Sequence, residues 1–390
     1  MIEYNFDTPI IRQGTASLKW ERYRNRDIIP LWVADMDFRS PPPVIDALQE
    51  RLDHGVFGYT VPPDSLVEVV VEMLRENFAW EVAPTSIVWL PGLVSGLNLA
   101  CRSVGETGDE VMTLTPVYPP FLSAPGLSGK ALSPVHLVQD GRQYWCIDMD
   151  RFSPVVTDRT SLFLLCNPHN PTGRIFSRQE LTDIALFCDD NDMVICSDEI
   201  HCDLLLDKDK AHIPIATLSP DIAQRTITLM APSKTYNIPG LGCSFAVIEN
   251  RELRSRFKLC MKGFIPEVTL FGYAAAKAAY KDCSAWHAAL IDYLVDNRAA
   301  VEEMVRATAG LNVNHVEATY LAWIDARTLP VKSLPLFFEN AGVGLSDGTD
   351  FGEPGYLRLN FGCPRPTLAE ALNRMASAIE HLSQTFETVG

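Results

Sequence analysis

Five short apolar runs punctuate the middle of the chain: residues 86–90 (SIVWL), 110–115 (EVMTLT), 161–166 (SLFLLC), 193–197 (MVICS) and 226–231 (TITLMA). They are apolar throughout rather than alternating, the pattern of strands covered on both faces in a parallel sheet. Helix-like stretches separate them. Gly92 to Cys101 reads as one, and Ser177 with Glu180 three residues on is a capping box that opens another. Strands alternating with helices predict an α/β sheet. From about residue 282 the texture changes to long amphipathic helices around strand candidates at 317–326 and 355–361, which predicts a smaller α+β domain. The expected division is an N-terminal segment, 1–43, joining the small domain, a large domain at 44–281, and the small domain itself at 282–390. No internal repeat or low-complexity tract is visible.

Composition narrows the classes. Apolar residues make up 47% and charged residues 21% of the 390, an ordinary globular balance. The net charge of −16 makes nucleic acid and anionic membrane surfaces poor partners, though it leaves room for one local anion-binding pocket. The ten cysteines form no C-x-x-C pair and do not resemble a secreted disulfide framework. No window approaches the roughly 20 apolar residues of a membrane span. The opening MIEYNFDTPIIRQG lacks a basic segment followed by an apolar one. A cytoplasmic protein is expected.

Chemically purposeful residues fall just after the strand candidates, where open α/β sheets bind ligands. Gly92 follows the first, Tyr118 the second, Asn167 and Asn170 in NPHNPTG the third, Asp198 in SDEIH the fourth and Lys234 in APSKTYN the fifth. Each has a bland reading. A lysine after a strand is usually a solvated surface residue, NPHNPTG is rich in turn formers, and SDEIH can be an acidic loop before a helix. Their co-occurrence at successive strand ends describes one pocket instead. A metal site on His201, Cys202 and Asp203 is not expected, because neighbours on one segment point apart. No G-x-G-x-x-G follows a strand, which argues against a nicotinamide enzyme.

The segments WVADMDF (32–38), FGYT (57–60), NPHNPTG (167–173), SDEIHCDL (197–204), PSKTYNIPGLG (232–242) and YLRLNFGCP (356–364) together resemble the aspartate-aminotransferase-type fold of pyridoxal-5′-phosphate (PLP) enzymes. WVADMDF and SDEIH point to the MalY/PatB group of cystathionine β-lyases within it. The resemblance implies a PLP-dependent transferase fold with helices sandwiching a mostly parallel sheet.

It also implies roles. Lys234 would be the Schiff-base lysine and proton shuttle, and Asp198 would face the ring nitrogen. Tyr118 would stack on the ring as a further catalytic residue, and Asn170 would donate to the ring oxygen. Backbone amides of Gly92, Leu93 and Val94 would hold the phosphate, with help from Ser233. Arg358 would clamp the substrate carboxylate, with Ala34 and Asn170 beside it, and His201 would support Asp198, tune the ring oxygen or fill the pocket wall. Tyr59 would reach the phosphate of the other subunit, implying a homodimer with shared active sites. By its residues alone, Tyr59 is a surface aromatic on a loop ahead of a capping box at Ser65 and Glu68.

Two positions depart from many fold relatives, which carry Ser and Arg where this chain has Ala231 and Gly242. The expected reaction is α,β-elimination from an S-substituted L-cysteine, either cystathionine or a cysteine S-conjugate or sulfoxide. The products would be pyruvate, ammonia and a thiol or sulfenic product. A PLP aminotransferase is the alternative, and a regulatory binding protein with a vestigial site is a third.

Overall fold

The computed structural model describes residues 4–387. Residues 1–3 and 388–390, included in the expected segments 1–43 and 282–390, lie outside the described residues. Strands apolar on both faces need covering twice, and the middle of the chain does this with one sheet between helices. Seven strands form it: β1 (Ile87–Leu90), β2 (Glu110–Thr115), β3 (Ala131–His136), β4 (Thr160–Cys166), β5 (Val194–Asp198), β6 (Thr226–Met230) and β7 (Ser244–Val247). Their order is β1-β7-β6-β5-β4-β2-β3. All run parallel except β7, which lies antiparallel between β1 and β6.

Successive side chains of a strand point to opposite faces, and β4 shows the consequence. Leu162, Leu164 and Cys166 join Leu97, Ala100, Ile227 and Phe257 in one core, while Phe163 and Leu165 join Phe176, Leu181 and Ile195 in another. Each such side chain contributes about 1.5–3 kcal/mol on burial. The five apolar runs are all strands, and the architecture is the expected α/β one. Two further strands, not expected from the sequence, complete the sheet. β3 reads ALSPVH, a partly exposed edge strand with a proline, and β7 is only four residues long.

The capping box at Ser177 and Glu180 is present, each side chain accepting from the other residue's backbone N–H. The one expected at Ser65 and Glu68 is not. That helix spans Asp64–Phe78 with Pro63 as its N-cap, so Ser65 already lies inside the first turn.

A second, four-stranded antiparallel sheet contains β8 (Asn312–Val313), β9 (Leu321–Asp325), β10 (Ser346–Asp347) and β11 (Tyr356–Asn360), in the order β8-β9-β11-β10. The strand expected at 317–326 is shorter, because residues 317–319 instead bond back toward the first sheet. Ala318 N donates to Gly173 O and Thr319 N to Leu204 O, at 2.9 and 2.8 Å. Near the other end of the chain, Ile29–Pro30 pairs in parallel with Val343–Gly344. Phe6, Leu31, Met36 and Phe38 pack in the same core as Leu321, Leu359 and Phe361. Among the described residues no helix is long and apolar enough to cross a membrane, and no His/Cys/Asp/Glu group of three is placed to hold a metal ion.

Charged groups staple the two sheets' surroundings together. Arg298 reaches Asp207 at 2.6 Å, and His315 sits between Glu302 and Asp207, 3.0 Å from each. The hydrogen bond to Glu302, seconded by Asp207, raises the His315 pKa above its ordinary 6.5 despite partial burial. A raised histidine pKa contributes stability that is present below the unfolded value and lost as pH rises through the folded one. His315→Ala is therefore expected to lower the melting temperature more at pH 6 than at pH 9, by a small amount since the ring is about half exposed. Equal losses at both pH values would show that the staple is not ionic.

Candidate active site

Parallel strands end on one edge of the sheet, so whatever follows them is gathered there. Asp198 is the last residue of β5, opposite Cys166 and Leu229. Its buried carboxylate accepts a hydrogen bond from Ile200 N at 3.1 Å. Burial pushes its pKa up to about 7. Lys234 lies four residues beyond β6, in a turn closed by the Tyr236 N to Pro232 O bond. Its amine donates to the Ala34 carbonyl at 2.6 Å. Burial lowers its pKa to about 8, Asp35 and Asp198 opposing the shift and Arg358 adding to it.

Arg358 projects from the middle of β11. One terminal nitrogen donates to Asn170 Oδ1 at 3.0 Å and the other to the Trp32 carbonyl at 2.8 Å, while its Nε has no partner. The guanidinium lies 4.7 Å from the centre of the Phe351 ring. Burial lowers its pKa to about 10, which still leaves it a cation at neutral pH. Among the described residues no carboxylate forms an ion pair with it. A buried cation in that state carries a desolvation cost of several kcal/mol, which an incoming anion can offset.

Residues 32–36 form the floor of this site, and each of their carbonyls is held by a side chain. Arg358 and Ser346 Oγ take Trp32 O; Asn360 takes Val33 O and Asp35 O; Lys234 and Tyr320 take Ala34 O; Asn237 takes Met36 O. Asn237 adopts φ +53° to do so, and its Oδ1 accepts from Met36 N at 2.9 Å. Below the floor, Asp37 is buried against Lys19, Arg12 and Trp20 Nε1 at 2.7, 2.7 and 2.9 Å. These partners keep its carboxyl ionised in spite of burial.

On the opposite wall the helix Leu93–Ser103 begins at Gly92 with no side-chain cap, so its first-turn N–H groups are donors for an anion. Gly242 faces the same wall with φ +59°, and a Cβ there would lie 3.1 Å from Pro91 O. An arginine at this position would be strained, which explains the glycine where many fold relatives carry a phosphate-binding side chain.

A single cavity of about 660 Å³ is lined by Ala34, Gly92, Leu93, Val94, Tyr118, Asn170, Asp198, His201, Ser233, Lys234 and Arg358, along with Ala231 and Gly242. Every site residue expected from the sequence is therefore brought together except Tyr59 and Asn167, whose buried side chain instead accepts from Phe176 N at 3.0 Å. That tyrosine is fully exposed on an arm with Val56, Phe57 and Val61. Tyr118 caps the helix Pro119–Leu127, and its N–H donates to Asn170 O at 3.1 Å. His201 is buried with Nδ1 unpartnered, and burial holds its pKa near 3, so it is neutral. No hydrogen bond joins it to Asp198; its ring instead meets Tyr320 edge-on. The cavity also takes in Arg22, Trp32, Ser346, Asp347, Asp350 and Phe351, which the sequence did not single out. Trp32 lay within WVADMDF and was findable; the others come from a helix end, the two-residue strand β10 and the short helix Gly348–Phe351, none with a chemical pattern.

The pocket's donor set suits a phosphorylated, protonatable ring bearing a carbonyl. It supplies an uncapped helix N-terminus, a buried carboxylate with spare acceptor capacity and a buried amine of lowered pKa. The chain belongs to the aminotransferase class I and II family, whose model matches residues 26–375. Among individual proteins, it is 36% identical over 387 residues to the cystathionine beta-lyase PatB of Bacillus subtilis, covering 96% of this chain and 100% of that one. The crystal structure of OvoB superposes with a TM-score of 0.94 at 46% identity, covering 96% of this chain and 99% of that one. Cystalysin from Treponema denticola, whose crystal structure contains a pyridoxal 5′-phosphate cofactor, gives 0.93 at 31% identity, covering 98% and 100%.

In the cofactor-free chain the folded Asp198 keeps its proton up to about pH 7, whereas an exposed carboxyl releases it near 3.8. The folded state thus binds the extra proton between those values, and stability from this group falls as pH rises through that window. Asp198→Asn removes the dependence. Its melting temperature relative to the parent should be higher at pH 8 than at pH 5. A difference that does not change with pH would mean the carboxylate is solvated.

Proposed function

We propose that the chain is a PLP-dependent carbon–sulfur lyase that cleaves S-substituted L-cysteines by α,β-elimination. The observation carrying this reading is Arg358: a buried guanidinium without a carboxylate partner among the described residues, in one cavity with Lys234 and Asp198. An α-carboxylate is the anion its planar fork fits, and PatB, at 36% identity, is named for lyase chemistry.

Bound PLP supplies an electron sink for the pair left when the substrate's α-proton departs. The amides of Gly92, Leu93 and Val94, with Ser233, would hold its phosphate. Asp198 would face its ring nitrogen, a cationic partner that would favour the ionised carboxylate against the pull of burial. Tyr118 would cover a ring face and Asn170 would meet the ring oxygen. His201, being neutral, lines the wall without adding charge. On the substrate side, Arg358 fixes the carboxylate, with Ala34 and Asn170 alongside.

With its pKa near 8, Lys234 has a substantial free-amine fraction at cellular pH and acts as the base. Its Nζ takes the α-proton, the Cβ–S bond breaks and sulfur leaves with the bonding pair. The released aminoacrylate takes up water to give pyruvate and ammonia. A thioether substrate such as cystathionine yields a thiol, and a sulfoxide yields a sulfenic acid.

The division at residues 43 and 281 belongs to the same reading, as does a homodimer in which Tyr59 completes the partner's site. The exposed arm carrying Val56, Phe57, Tyr59 and Val61 supports it. Ten free cysteines suit a reducing cytoplasm.

Purified protein given L-cystathionine or S-alkyl cysteine sulfoxides should release stoichiometric pyruvate without added keto acid, with the thioether also giving free thiol. Borohydride should fix the cofactor onto Lys234, and Lys234→Ala should lose at least about a thousandfold in kcat. Turnover that requires a keto acid would replace elimination with amino transfer, and an adduct on another lysine would overturn the site. Mixing inactive Tyr59→Ala and Lys234→Ala chains should restore part of the activity, because a hybrid dimer holds one site with both residues native. A verified hybrid without recovery would mean that each subunit builds its site alone.

A further inference from the structure

Three segments far apart in the chain meet on one backbone oxygen beside the cavity. The Ala34 carbonyl accepts from Lys234 Nζ at 2.6 Å and from the Tyr320 hydroxyl at 3.0 Å. The carbonyl is held in place, since Asn360 Nδ2 bonds the carbonyls on both sides of it, Val33 O and Asp35 O. Tyr320 is fully buried, its ring edge-on to His201 with centroids 6.2 Å apart and planes at 83°. It does not line the cavity; its hydroxyl meets the amine's own acceptor, the Ala34 carbonyl.

We propose that Tyr320 is a positioning residue for Lys234. By sharing the Ala34 carbonyl with the amine, it sets where that amine rests and how strongly the resting place holds the ammonium form. The inference relies on Lys234 being the amine that bonds the cofactor.

A carbonyl oxygen has two lone pairs, and two donors on it draw on the same electron density. Each therefore weakens the other, the opposite of a chain in which successive hydrogen bonds strengthen one another. The loss falls harder on the ammonium, whose bond is charge-assisted, than on the neutral amine. The Tyr320 hydroxyl thus acts in the same direction as burial, favouring the free amine. Burial raises the hydroxyl's own pKa, so it stays a donor across the neutral range.

Other groups face the amine from every side. Asp35 belongs to the floor, Asp198 ends β5 and Arg358 projects from β11. His201 is a further neighbour, Tyr118 lines the same cavity, and both are neutral near pH 7. Removing one hydroxyl from Tyr320 leaves all five in place.

The test uses the full-length parent, Tyr320→Phe and Tyr320→Met, each stripped of cofactor with hydroxylamine and checked for folding by its melting curve. The rate of recombination with PLP is followed by absorbance between about pH 6 and about 9.5, where it tracks the free-amine fraction of the lysine. The cofactor's own ionisations and that of Asp198 are common to the three chains and cancel in the comparison. Borohydride reduction and peptide mapping then locate the adduct.

In both variants the midpoint should move up by at least about half a pH unit, making recombination about threefold slower at pH 7. Tyr320→Met guards against Tyr320→Phe failing to fold. A purely structural tyrosine would lower the melting temperature and leave the midpoint where it was, and that result overturns the proposal. An adduct mapped to a different lysine in the parent would instead overturn the assignment of Lys234 beneath it.

Discussion

The cavity depends on how the floor segment is held. From Trp32 to Met36, each carbonyl accepts from a side chain that comes from elsewhere in the chain: Arg358, Asn360, Lys234, Tyr320, Lys19 or Asn237. Such a stretch cannot pair as a strand, and buried without partners it would leave several unsatisfied acceptors. Supplying those partners forces the N-terminal residues, the end of β6 and the second sheet into one arrangement. Two of the residues that satisfy the floor, Lys234 and Arg358, also line the cavity, so holding the floor places two of the site's charged groups.

Charge in the cavity follows from that enclosure. Burial drives Lys234, Asp198 and Arg358 toward their neutral forms, and the first two reach pKa values near 8 and 7. Arg358 stays charged, so a cation faces the cavity of a protein whose net charge is −16. Free energy lost in desolvating these groups is regained when an anionic ligand with a cationic ring enters. The site is poised electrostatically for a molecule carrying both.

The two sheets divide the work by geometry. Parallel strands deliver the turn after β4, Asp198 and Lys234 to a common edge, which is a property of the topology and not of any one residue. The antiparallel second sheet places Arg358 between Trp323 and Ser346, so its guanidinium reaches across to Asn170. Sheet-end residues of one unit and a mid-strand residue of the other thereby face a shared volume.

Much of this was legible in the sequence, because uniformly apolar runs have one efficient burial and turn residues after them fall on a known edge. β1, β2, β4, β5 and β6 were readable for that reason, as were Asp198 and Lys234. The motifs WVADMDF and YLRLNFGCP carried Ala34 and Arg358 by resemblance, although nothing in their local pattern says what they touch. β3 was not legible, being a proline-bearing edge, and β7, four residues long like β1, was not singled out. Local pattern also misplaced a cap at Ser65, where Pro63 starts the helix earlier. What only the tertiary structure decided were the contacts between distant segments. Tyr320 meeting the Ala34 carbonyl, Asn237 clasping residues 36 and 38, and Gly242 standing where Pro91 O leaves no room for a side chain are all of this kind. A sequence specifies which residues are apolar and which can donate. Which donor meets which carbonyl is settled when the cores close around them.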